Sequence, residues 1–205
     1  MTRLASSSSH PTDGIAVLQT PRLVLRPWTE DDAVALHAVF GDAEAMRFWN
    51  TAPSARPEDL LPGIRRSVSA PAEYHAAWAV VLRASGVAIG FVNYHHREVS
   101  SARLEIGYIL ARAFWGQGLA REAVAALLDH CFGAMAVNRV EALIDPDNTA
   151  SLRLAERLGF RCESGRMRQR LKMPDGRFAD ILMYGLLAAD WAGRPTNDGT
   201  AGVLS

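Results

Sequence analysis

Within 205 residues there is a single lysine, Lys172, and there are only two cysteines, Cys131 and Cys162. Two thiols supply neither a structural zinc set nor a disulfide framework. An excess of one charge is also missing: Lys+Arg is 22, Asp+Glu is 22, and the formal net charge is +0. Capture of nucleic acid by overall basic charge is therefore excluded, and no direct sequence-specific nucleic-acid partner is expected. No apolar run approaches the roughly 18 residues of a membrane span, so no membrane partner is expected either. Met1 to His10 holds a serine run and one arginine but lacks the apolar segment of a secretory signal. A cytoplasmic protein is the expectation. No histidine pair has a zinc-ligand spacing such as H-x3-H, so no metal is expected.

What is present is an ordinary globular balance, with 49% hydrophobic and 21% charged residues. A chain of this length buries a core without covalent staples. Residues 1–14 are rich in Ser, Thr, Pro and Gly and read as a disordered tail; 195–205 read as a flexible C-terminal tail. One folded domain is expected over 15–194. Periodicity and punctuation predict a strand over Leu23 to Trp28, then a helix capped by Thr29 with Val34, Leu36, Val39 and Phe40 on its apolar side. A second helix is expected over Pro57 to Val68. Strands follow over Ala76 to Arg83, Ala88 to His96 and Arg103 to Leu110, the first two joined by a glycine turn. Then come a helix over Gly118 to Phe132, a strand over Val140 to Ile144 and a helix over Asn148 to Leu158. A strand pair over Arg166 to Met173 and Phe178 to Leu187 turns at Asp175-Gly176. The order predicts an α+β (mixed α/β) fold with one sheet covered by helices.

The informative stretch runs from Glu105-Ile106-Gly107-Tyr108-Ile109-Leu110 through Arg112 to Trp115-Gly116-Gln117-Gly118-Leu119-Ala120-Arg121. A strand enters a glycine-containing loop and then an amphipathic helix. Free N–H groups and the helix dipole make such a start an anion site. Gly116 and Gly118 allow close backbone approach to a phosphate. The loop lacks the lysine of a Walker A motif, and Arg121 stands where a dinucleotide fingerprint needs its third glycine.

This stretch resembles motif A of the GNAT (Gcn5-related N-acetyltransferase) superfamily, whose loop reads Gln/Arg-x-x-Gly-x-Gly/Ala. Trp115 replaces the first Gln or Arg, as in the RimJ/RimL-like ribosomal-protein N-acetyltransferases. Thr20-Pro21-Arg22-Leu23-Val24-Leu25-Arg26, Ile89-Gly90, Asn148-Thr149-Ala150-Ser151, Ala155 to Phe160 and Asp180 to Tyr184 resemble further strings of that branch, in the same order. The resemblance covers about residues 18–191. It implies the acyl-CoA N-acyltransferase (GNAT) fold: a central mixed, mostly antiparallel sheet with helices on both faces.

The resemblance further implies an enzyme that transfers acetyl from acetyl-CoA, a co-substrate, directly to a primary amine, either a protein N-terminus or a small molecule. The pantetheine arm would pair with the backbone of Tyr108, Ile109 and Leu110. The pyrophosphate would sit on Gly116, Gln117, Gly118, Leu119, Ala120 and Arg121, with Arg112 beside the loop. Asn148 would hold the cofactor from the facing helix. Glu105 is the candidate base or amine ligand, because an ammonium must lose its proton before attack. A backbone N–H near Tyr108 or Ile109 would face the developing oxyanion. Ser151 is the candidate partner of the departing thiolate. Asn93 and His95 share one side of their strand and border the acceptor cleft, with His96 expected to face away. The resemblance admits a homodimer, and a non-catalytic acyl-CoA-binding module of the same fold is the alternative function.

Overall fold

The computed structural model describes residues 15–193. The two expected tails lie outside the described residues. A nine-stranded sheet runs in the order β1 (Leu18–Gln19), β2 (Leu23–Pro27), β3 (Ala76–Leu82), β4 (Ala88–Glu98), β5 (Arg103–Leu110), β6 (Arg139–Ile144), β9 (Phe178–Leu187) and β7 (Arg161–Cys162), with β8 (Met167–Lys172) also paired to β9. Only the contact between β5 and β6 is parallel; the others are antiparallel. The predicted mixed, mostly antiparallel sheet is what forms.

Helices cover both faces. On one side lie α3 (Leu119–Phe132), α4 (Thr149–Arg157) and α5 (Ala188–Ala192); on the other lie α1 (Ala33–Phe40) and α2 (Leu61–Ser69). Strand alternation divides the core between them. Along β3, Ala76, Trp78 and Val80 join the first core, and Ala77, Ala79 and Val81 join the second. Val124, Leu127, Leu128 and Cys131 of α3 are completely buried, as their helical spacing predicts. Burial pushes the Cys131 thiol up to about 12, which makes it packing material rather than a nucleophile. Val34 corrects one expectation. It is 75% exposed, because the inward stripe of α1 is Ala33, Leu36, Val39 and Phe40, and Val34 lies off that face.

Tight anchoring of the first helix comes from Asp32, which is buried. Its carboxylate takes Arg26 in a two-pronged pair (2.6 and 2.8 Å) and also accepts from the Thr29 N–H at 2.8 Å.

Candidate active site

The parallel contact is where the sheet opens. Strands β5 and β6 pair only at Arg103↔Arg139, Leu104↔Val140 and Glu105↔Glu141. Beyond these, β5 stays paired to β4 up to Leu110, and β6 to β9 up to Ile144. The two strands are therefore pulled apart by their outer neighbours, leaving a slot between them. The Ala111 N–H donates to the Ile89 carbonyl across β4. Alternation then turns the main-chain groups of Ile109 and Gly107 toward β4 and those of Ile106, Tyr108 and Leu110 into the slot. The Leu110 carbonyl accepts from the Trp115 indole N–H at 2.7 Å. Ile109 thus departs from the expected backbone set, since its polar groups lie on the paired edge. Ile106 takes its place.

At the end of β5 the chain makes a short 3-10 turn, Arg112–Phe114, and reaches Gly116 at φ 74 and Gly118 at φ 75. These left-handed values are open to glycine without strain. A Cβ on Gly116 would meet nothing within 4 Å, and one on Gly118 only Arg22 Nη2 at 3.6 Å. The open space therefore lies outside the loop. Among the described residues the N–H groups of Gly116, Gln117 and Gly118 make no backbone bond, and Leu119, Ala120 and Arg121 begin α3, where helical partners are lacking. The first closure is Glu122 N–H to Gly118 O at 3.1 Å. Such a bare, N–H-lined turn suits a diphosphate.

Arg22 braces this loop from the first strands. Its Nη1 donates to the Gln117 carbonyl (3.0 Å) and its Nε to Glu122 Oε2 (2.6 Å), while the Thr20 hydroxyl donates to Glu122 Oε1 (2.6 Å). Burial favours the neutral Glu122, but these donors outweigh it and hold the carboxyl below its ordinary range. Arg112 is committed to Asp42, so the charge expected from it beside the loop is already neutralised. Arg121 is exposed and makes no ion pair among the described residues.

A cavity of about 550 Å³ lies on the other side of the slot and is lined by Asn93, His95, His96, Glu105, Gly107, Tyr108, Asn148 and Ser151, among others. Glu105 sits at the last paired position before the strands part, with its side chain 17% exposed. His95 Nε2 lies 3.1 Å from Glu105 Oε1, and His96 Nδ1 lies 3.3 Å from Oε2. His96 does not face away as alternation alone predicts. It stands at φ 49, in a bulge where the β4–β5 register shifts, and the bulge swings the ring back to the same carboxylate. The three side chains bring one ligand atom each within 4.8 Å, although their spacing in sequence gives no metal signature.

Burial alone would raise the Glu105 carboxyl. The hydrogen bonds of His95 and His96 overcome that and hold it below its ordinary value. An ionised carboxylate only accepts, so the imidazole nitrogens facing it carry the protons. His95 Nδ1 then carries the lone pair and accepts a long hydrogen bond from Asn93 Nδ2 at 3.4 Å. Asn93 itself is 9% exposed, and its Oδ1 is a buried acceptor with no partner. A Cβ on Gly107 would come within 2.6 Å of that oxygen. Gly107 therefore keeps the space beside Asn93 clear.

Across the slot, Asn148 Oδ1 caps α4 by accepting from the Ser151 N–H at 3.1 Å. Its amide Nδ2 alone is left for a ligand. The Tyr108 hydroxyl reaches over to the Ser151 carbonyl at a long 3.4 Å, and burial pushes this phenol up to about 12. Asn148, Ser151 and Tyr108 thus meet Glu105 around one cavity, as the sequence strings expect. Trp49, Asn50, His75 and Arg170 also line it. They lie in loops or on β8 with no motif spacing, and only the aromatic character of Trp49 signals a cleft wall.

A strand-shaped slot opening onto an N–H-lined turn, with a carboxylate at its inner end, is an arrangement that suits an acyltransferase. The chain belongs to the GNAT acetyltransferase family, whose domain model matches residues 22–161. It is 33% identical over 177 residues to "Uncharacterized N-acetyltransferase p20" of Bacillus licheniformis, covering 86% of this chain and 98% of that one. It is 32% identical over 136 residues (66% and 71% of the two chains) to "Putative ribosomal N-acetyltransferase YdaF" of Bacillus subtilis. The crystal structure of the GNAT-family acetyltransferase from Bacillus anthracis superposes with a TM-score of 0.75 at 24% identity, covering 85% of this chain and 99% of that one, a likeness of fold. The enzyme is an N-acetyltransferase of a family that uses acetyl-CoA. No helix among the described residues is long and apolar enough to cross a membrane.

Proposed function

We propose that the protein acetylates a primary amine, a protein N-terminus or a small molecule, by direct transfer from acetyl-CoA. The observation that carries this is the Asn93–His95–Glu105 array at the inner end of the slot. Acetyl-CoA supplies an activated acyl group. The residues suited to hold it are the slot-facing groups of Ile106 and Tyr108, the Leu110 N–H, the N–H groups from Gly116 to Arg121, and Asn148 Nδ2.

The rest is the work of this chain's side chains. Glu105, kept ionised, draws in the ammonium form of the acceptor. An imidazole whose far nitrogen is hydrogen-bonded to a carboxylate is oriented to take a proton from an amine. His95 therefore takes the proton at Nδ1, and Glu105 stabilises the imidazolium through Nε2. Asn93 Oδ1, otherwise unpartnered, accepts an N–H of the amine and aims its lone pair into the slot. The Tyr108 N–H faces the slot and is the donor for the developing oxyanion. The Ser151 hydroxyl faces the departing sulfur. The likeness to YdaF, named for ribosomal N-acetylation, supports the RimJ/RimL-like branch. Release of CoA from acetyl-CoA with a panel of amines and N-terminal peptides tests the reading. Turnover that persists unchanged in both His95→Gln and Glu105→Gln would overturn it.

A further inference from the structure

A second cavity of about 450 Å³ opens beside the first and shares Trp49, Asn50 and His75 with it. Its walls are rings. Trp28 and Phe91 have centroids 4.8 Å apart, Phe40 and Phe91 5.9 Å, and Trp49 stands edge-on to Phe40 and Phe91 at 6.2 Å from each. Its polar lining is Asn50, Thr51 and His75 on one side and a rim on α2 on the other. There the Ser67 hydroxyl bonds the Trp28 indole N–H (3.2 Å) and His75 Nε2 (2.6 Å). Arg66, exposed on the same rim, forms no ion pair among the described residues. Among the described residues no Asp or Glu lines this cavity.

Each feature bears on what the far end of the acceptor can be. A second ammonium needs a carboxylate or an open aromatic face with no cation nearby. This cavity has no carboxylate, its rings are packed against one another, and the free charge at its rim is positive. An apolar body gains about 25 cal/mol per Å² of surface that it buries here. An aromatic ring fills on the order of 150 Å³, so a ring and several further atoms fit. An anionic group beyond the ring would meet the unpaired guanidinium, which favours carboxylate and phosphate geometry.

We infer that the acceptor is a primary amine carrying a ring-sized apolar body with an anionic group at its far end, rather than a polyamine. This rests on the reading of the first cavity as the place where the amine nitrogen binds. The test measures binding by calorimetry without acetyl-CoA, using para-carboxyphenethylamine, phenethylamine and spermidine, and follows CoA release with the same three amines. The carboxylated amine should bind roughly tenfold more tightly than phenethylamine, and spermidine weakest of all. Arg66→Gln, an exposed change that leaves the core intact, should erase the difference between the first two. Binding of spermidine at least as tight as that of the carboxylated amine, or a carboxylate preference that survives Arg66→Gln, would overturn the acceptor class. The two readings fail separately. Turnover of spermidine that depends on Glu105 would sink the acceptor class and keep the function, while ordered binding with no turnover of any amine would do the reverse.

Discussion

Substitution of Gly118 by alanine separates what the loop does for the fold from what it does for a ligand. The residue sits at φ 75, where an L side chain is strained by about 1–2 kcal/mol. Nothing else in the protein objects to the new methyl, since its nearest neighbour, Arg22 Nη2, lies at ordinary contact distance of 3.6 Å. The stability loss should therefore be the backbone strain alone, a fall in Tm of roughly 2–8 °C at this chain length. CoA affinity should fall further than that strain explains. A methyl at the mouth of the N–H-lined turn keeps the diphosphate from one charged hydrogen bond, worth about 1.5–3 kcal/mol or roughly ten- to a hundredfold in Kd. Asparagine tolerates the left-handed region better than alanine. Gly118→Asn should thus recover part of the Tm while binding CoA no better than the alanine variant. Thermal unfolding and calorimetry on the two variants are sufficient. If Tm falls and the Kd for CoA stays at its original value in both, the turn does not cradle the diphosphate.

Other perturbations probe the remaining groups. Glu105→Gln should slow turnover about a hundredfold near neutral pH. The deficit should shrink as the pH passes the acceptor's own pKa, about 7.7–8.0 for a chain N-terminus and 10.4 for a lysine-like amine, because a neutral amine needs no base; a pH-independent deficit would leave Glu105 without a part in deprotonation. Ser151→Ala should cut kcat roughly tenfold with the Kd for CoA unchanged, whereas a loss seen with Tyr108→Phe and not with Ser151→Ala transfers that role to the phenol. Burial of Asp32 opposes its charge, but Arg26 and Thr29 outweigh the burial and hold its carboxyl below the ordinary 3.8. Its stabilisation is therefore present above that value and is lost as pH falls through the lower folded value. Asp32→Asn should cost about 2 kcal/mol at neutral pH, modest for a buried pair because Arg26 is half-exposed, and should flatten the acid limb of an unfolding curve.

Sequence pattern reaches far into this fold, and the places where it stops have physical causes. Strands β5 and β9 begin and end where alternation and turn residues place them, at Arg103–Leu110 and Phe178–Leu187. Gly159, directly after the predicted helix end at Leu158, has φ 89, the left-handed value that suits glycine as a helix cap. The glycine turn after β5 and the position of Glu105 are legible because glycines and a strand-end carboxylate leave a local trace. His96 is not. A histidine with positive φ has no signature in sequence, and one bulge reverses the side on which a whole residue points. Ile109 and Ile106 exchange roles because backbone direction depends on which neighbour a strand pairs with, and that is settled by the sheet. The aromatic cavity draws Trp28, Phe40, Trp49 and Phe91 from four separate segments, so only the folded chain assembles it.

The brace from Thr20 and Arg22 to Glu122 and Gln117 makes the first strands a working part of the cofactor turn, although they stand some hundred positions away along the chain. Shortening the polypeptide beyond residue 20, or fusing a bulky partner directly onto β1, removes or tilts the guanidinium that grips the Gln117 carbonyl. Anyone trimming the protein for expression should expect catalysis to suffer before solubility does.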